Sequence, residues 1–270
     1  MRRRPEPEDP VTGPAPNDPA PDRHLAPQRP GSACGAAPRF WALPQVPHWL
    51  LLGVLLSAVV VALGMAARML PGYSAAELGV DQDLSRHHVA VLTMVAMALN
   101  LVFGPVAGVV LIAAAAIYIW IVRGGLVKAV AFGLVACSGW VASEFFKLVV
   151  ARQRPDPALL LDPLSPETGS NSYPSGHVCF AVSLAFALYF LARATRWARV
   201  TAVVGGALAS VVAWSRLYIG VHYPTDVVAS FVAATAAVVL LAGLWNRFAA
   251  PLTDRLRLAA IVRLPTSKRK

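Results

Sequence analysis

Apolar residues in this chain gather into long uncharged runs separated by short polar connectors. Trp49 to Ala67 is an uninterrupted apolar stretch of the length that crosses a hydrocarbon core. Further runs cover Val102 to Val122, Leu126 to Phe146, Val178 to Leu191, Val200 to Leu217 and Val227 to Trp245, the fourth borrowing residues from its ends. Val89 to Leu101 is apolar but too short before Gly104-Pro105. It reads as a helix at the interface or against the bundle, with Asp83 as its N-cap. The pattern predicts an all-α fold, a polytopic membrane helical bundle with six transmembrane helices plus an interfacial helix.

The flanks differ from the runs. Twelve of the 22 prolines lie between Met1 and Pro47, among Asp, Glu, Arg and Gly without apolar periodicity. Residues 1–47 are expected to form a disordered Pro-rich cytoplasmic tail, too long and too acidic for a cleavable signal peptide. Residues 48–247 make the six-span domain, and 248–270 a basic cytoplasmic tail. Composition agrees, with 57% hydrophobic and only 14% charged residues. The net charge of +10 sits in tails and connectors, so it reads as membrane anchoring and not as nucleic-acid binding. With six spans and an inner N-terminus, 18 Lys and Arg fall inside and 6 outside, which predicts both termini cytoplasmic. Cys34, Cys137 and Cys179 give neither a disulfide framework nor a zinc spacing.

Span parity brings three polar motifs to the outer face. Lys147 and Arg154-Pro155 end the third span as K-x6-R-P, and Pro174-Ser175-Gly176-His177 opens the fourth. Ser215-Arg216, His222 and Asp226 bridge the fifth and sixth. Charges this near a bilayer are expensive, and a bound anion offsets the cost. A helix continuing past the third span would align Lys147 with Arg154 seven residues on. Ser175 is a cap candidate, and the free N–H groups at Gly176 attract an anionic oxygen beside His177. Pro224 breaks the helix just after His222 and sets Asp226 in the next first turn, within reach of the imidazole N–H. Taken singly, each element has a bland reading as a snorkelling cation, a plain cap or a structural histidine. Together they converge on one face.

In order and spacing, these motifs resemble the type-2 phosphatidic acid phosphatase superfamily, the lipid phosphate phosphatases related to vanadium haloperoxidases. The resemblance covers about Trp49 to Trp245. It implies that His222 attacks phosphorus to form a phosphohistidine, with Asp226 orienting the ring. It implies that His177 protonates the leaving oxygen and then activates water. Lys147, Arg154, Ser175, Gly176 and Arg216 would bind the phosphate, with no metal and no cofactor. The implied partners are the bilayer and a phosphorylated membrane lipid, met at the extracytoplasmic face. The reaction alternatives are a lipid phosphotransferase and a non-catalytic lipid-phosphate binder.

Other residues take smaller parts. Glu144 can orient Lys147 from one turn away. Asp81 and Asp83 read as loop caps, His87 and His88 near the interface as structural, and His24 and His48 as part of the tail region. Arg152 is expected to attract anionic headgroups. The loop from Asp156 to Tyr173 edges the site, with Leu159, Leu160 and Leu161 dipping into lipid and Asp162 and Glu167 selecting among headgroups.

Overall fold

In the computed structural model, residues 42–252 are described except Gly124 and Pro166, so the expectations for residues 1–41 and 253–270 of the two tails, with His24 and Cys34, lie outside the described residues. Eight α-helices follow in order and no strand occurs among the described residues. They are α1 Trp49–Met69, α2 Tyr73–Arg86, α3 Ala90–Val102, α4 Pro105–Arg123, α5 Leu126–Val150, α6 Gly176–Ala192, α7 Ala198–Tyr218 and α8 Pro224–Leu244. The fold is all-helical, as the apolar runs predict. Five of these helices are long and apolar enough to cross a membrane: α1, α4, α5, α7 and α8. The Ala90–Val102 and Gly176–Ala192 helices are apolar but shorter.

Packing centres on α6, which lies against α5, α7 and α8, while α1 packs along α8. Helix α6 buries Val178, Phe180, Ala181, Val182 and Leu184 and is apolar nearly all round, which suits a helix enclosed by others. Small residues let it approach α5. A Cβ on Gly139 would stand 2.2 Å from the Cys179 carbonyl oxygen, so only glycine permits that backbone crossing. The outer helices instead expose aliphatic side chains such as Val106, Val109, Ile117 and Ile121. Such surfaces are stable only against lipid.

The structure redraws three local expectations. Asp83 lies inside α2, and α3 opens after Val89 without a side-chain cap. The stretch holding Asp81 is thus a helix instead of a capped loop, because α2 buries its polar face. Helix α5 stops at Val150, where Ala151 turns left-handed at φ 48 and donates its N–H to Lys147 O. Arg154 therefore continues no helix. Helix α7 stops at Tyr218, and the chain turns at Gly220 with φ +79. His222 stands in that connection, and Pro224 opens α8 instead of ending α7.

Candidate active site

Five short segments place the sequence-predicted residues in one cluster. The end of α5 contributes Lys147. The chain beyond it contributes Arg154, held by its N–H donating to Gly169 O at 3.0 Å. The start of α6 contributes Ser175, Gly176 and His177. The end of α7 and the turn after it contribute Arg216 and His222, and Asp226 lies in the first turn of α8.

Three cations gather there. Arg154 Nη1 is 3.4 Å from His222 Nε2 and donates to Val221 O at 3.0 Å. The Glu167 carboxylate spans Arg154 and Arg216, with Oε2 2.9 Å from Arg154 Nη1 and Oε1 3.1 Å from Arg216 Nη2. Lys147 Nζ donates to Glu144 at 2.7 Å and lies 3.5 Å from where a Gly176 Cβ would stand. The expected Glu144–Lys147 contact is thus present. Ser175 takes the N-cap position, yet its hydroxyl makes no cap bond. That buried oxygen has no hydrogen-bond partner among the described residues, which leaves it available to a ligand.

The histidines are held differently. His177 Nε2 donates to the Asn100 carbonyl at 3.1 Å, which puts the ring hydrogen on Nε2. His222 is 1% exposed. Burial first, then the Arg154, Arg216 and Lys147 charges, hold its pKa well below the usual imidazole range. It is a neutral ring at neutral pH, as a nucleophile requires. Its Nδ1 lies 3.6 Å from Asp226 Oδ2, beyond hydrogen-bond range, so the predicted direct bond is a looser contact here. Asp226 is instead bound by Arg152 Nη1 at 2.6 Å, by the Ser172 hydroxyl and by the Tyr223 N–H at 3.0 Å.

Several residues here were missed or misjudged from the sequence. Asn100, at the end of α3, meets His177 with its carbonyl and Arg216 with its side chain. Arg152 is not a headgroup attractor: it is 1% exposed and paired with Asp226 and Glu77. Leu160 is buried over Gly220, while Leu159 and Leu161 are exposed. Asp162 pairs with His88 at 2.9 Å, and Glu167 lies on the site cations. The extra arginine of R-x-R-P was the one local signal for Arg152; nothing near Asn100 announced it.

Asp81 is fully buried, with neither carboxylate oxygen hydrogen-bonded among the described residues. Burial, then Asp226 and Glu77, push its pKa up to about 8, with Arg152 opposing. The folded protein keeps a proton that the unfolded chain releases around the ordinary value of 3.8. This contribution is fully present below that value and is lost as pH rises through about 8. Asp81→Asn is expected to raise the melting temperature in detergent more at pH 9 than at pH 5. An equal shift at both would contradict this.

Comparison with known proteins follows the same outline. The PAP2 superfamily model matches residues 128–249, which contain all three motifs. The chain is 32% identical over 102 residues to undecaprenyl-diphosphatase BcrC of Bacillus subtilis (strain 168), covering 38% of this chain and 50% of that protein. It is 35% identical over 95 residues to an undecaprenyl-diphosphatase of Sulfolobus acidocaldarius, covering 34% of this chain and 42% of that one. The matches thus span half or less of these relatives. The fold resembles the crystal structure of a transmembrane PAP2 type phosphatidylglycerolphosphate phosphatase from Bacillus subtilis. The TM-score is 0.62 at 22% identity, covering 73% of this chain and 96% of that one.

Proposed function

We propose that this chain, a multi-pass membrane protein whose residues 128–249 are a PAP2 superfamily segment, removes phosphate from a lipid phosphate or polyprenyl diphosphate through a phosphohistidine. One observation carries the reading. The Glu167 carboxylate lies between Arg154 and Arg216, and Arg154 also touches His222 Nε2. Two guanidiniums already hold an anionic group beside a neutral imidazole nitrogen. A phosphoryl group there takes the place of the carboxylate and meets the nucleophile.

The steps follow from that placement. His222 Nε2 attacks phosphorus, and the bond to the leaving oxygen breaks as His177, entering this step as the imidazolium with its Nε2–H on the Asn100 carbonyl, gives that oxygen its Nδ1 proton. His177 then accepts a proton from water, whose oxygen attacks phosphorus while the P–N bond breaks and frees His222. Lys147, Arg154, Arg216, the Ser175 hydroxyl and the Gly176 N–H hold the equatorial oxygens throughout. Asp226 keeps the imidazole oriented and offsets the positive charge that develops on it. The two diphosphatase relatives favour a polyprenyl diphosphate as substrate. The test is phosphate release by the purified protein in detergent across a lipid phosphate and diphosphate panel. No release from any member would overturn the reading, and transfer to an added lipid alcohol without release would make it a phosphotransferase.

Since the carboxylate must leave before phosphate enters, Glu167→Gln is expected to lower the inhibition constant of inorganic phosphate about tenfold, one charged contact being worth roughly 1.4 kcal/mol. An unchanged constant would place Glu167 outside the competition.

Helix α6 completes six spans in this reading, since its 17 residues rise about 26 Å inside the bundle. Helices α2 and α3 then lie at the outer face with the site, and both tails are cytoplasmic. The 18-to-6 charge split supports this orientation. After Cys34, Cys137 and Cys179 are replaced, a cysteine at exposed Thr168 should react with an impermeant maleimide on intact cells. One at Thr195 should react only after permeabilisation. The reverse pattern would put the site on the cytoplasmic side.

A further inference from the structure

Helix α2 is built inside out for a helix at a membrane surface. It buries Asp81 and Ser85 and turns Glu77 inward, while Val80 is exposed. The polar face meets Arg152, whose Nη2 donates to Glu77 at 2.7 Å and to the Ser74 hydroxyl at 2.9 Å. Its Nη1 donates to Asp226 at 2.6 Å, and the guanidinium lies 4.1 Å over the Tyr223 ring. The other Glu77 oxygen accepts the Thr225 N–H at 2.7 Å and the Thr225 hydroxyl. One carboxylate from α2 thereby satisfies a free donor at the start of α8 and balances the arginine that grips Asp226.

We propose that the Glu77–Arg152 pair is a positioning device for the reaction, acting on His222 through Asp226; this rests on the phosphatase reading. Both Nη groups of Arg152 are committed to Asp226, Glu77 and Ser74, which ties the guanidinium to the carboxylate behind His222. The arginine's own charge would oppose the positive charge developing on His222. Glu77 cancels it, so that Glu77, Arg152 and Asp226 together carry one net negative charge facing the ring. The geometry also divides Asp226: Oδ1 belongs to Arg152, and Oδ2 to Ser172, Tyr223 N–H and the His222 side. Without the arginine, the carboxylate is free to turn, and the imidazole loses its reference.

The test measures kcat and KM for polyprenyl diphosphate hydrolysis in detergent, with rapid-quench trapping of the phosphoenzyme, for Arg152→Gln, Arg152→Lys and Glu77→Gln. Removing a group that orients a catalytic one commonly costs about 10- to 100-fold. Arg152→Gln should lower kcat about 100-fold and slow phosphoenzyme formation equally, with KM within about threefold; Arg152→Lys should recover part of the loss. Glu77→Gln keeps the shape but removes the charge, and should lower kcat about tenfold alone and little further beside Arg152→Gln. Unchanged kcat in a folded variant, or a loss carried by KM, would overturn the proposal while leaving the phosphatase reading intact. If Arg152→Gln fails to fold, Glu77→Gln and Arg152→Lys decide by the same criteria. A wild-type protein that releases no phosphate from polyprenyl diphosphate or from any other member of the lipid phosphate and diphosphate panel would instead overturn the phosphatase reading, and this inference with it.

Discussion

His222→Ala is expected to reduce phosphate release by at least about 1,000-fold while expression and membrane insertion stay normal, and His177→Ala to reduce it by about 100-fold or more. The two losses should differ in kind. His222 lies beside the anion-holding arginines and is kept neutral by burial and by Arg154, Arg216 and Lys147. In the proposed mechanism its removal takes away the atom that bonds phosphorus, so no phosphoenzyme should be trapped. His177, fixed by the Asn100 carbonyl, has no covalent part. With a good leaving group that needs no proton, His177→Ala should still form phosphoenzyme and then hydrolyse it slowly. Rapid-quench trapping on both variants is the measurement. More than about a tenth of wild-type turnover in either would refute its role, since acid–base assistance alone is worth roughly 100- to 10,000-fold.

Arg216→Ala is expected to lower kcat about 100- to 1,000-fold, the cost of removing one preorganised donor from a developing charge. The side chain is buried, contacts Asn100 and shares Glu167 with Arg154. In the proposed mechanism its loss weakens the phosphate cradle and frees the Glu167 carboxylate beside it. Arg216→Lys should recover little, because an ammonium cannot reach both partners as a planar fork does. If three cations supply the electrostatics, wild-type activity should survive excess EDTA, and vanadate should inhibit it. Strict dependence on added magnesium or zinc would sink that account, as would an Arg216→Ala variant of normal kcat.

Much of the molecule was written locally. Uncharged runs as long as Trp49 to Ala67 admit few structures besides membrane-crossing helices, because the backbone must satisfy itself within each segment. The candidate site residues stood out for a similar reason. A histidine or arginine beside a bilayer-length run is costly, so its position alone signals use.

What the chain could not announce were the partners, which come from far along it. Arg152 and Glu77 are 75 residues apart, Arg216 and Asn100 are 116, and Thr225 and Glu77 are 148. Read alone, Arg152 is one more cation at a membrane surface, and Asp81 one more loop carboxylate. Only tertiary packing decided that both are buried, that α2 turns its charges inward, and that Glu167 reaches the site arginines. The sequence by itself determined where the long apolar helices run and which chemistry is present, because hydrophobic length and residue type are local properties; the polar helix α2 was not legible in that way. The structure decided how those charges are paired, because the energy of a buried charge depends on which opposite charge the fold brings within a few ångströms.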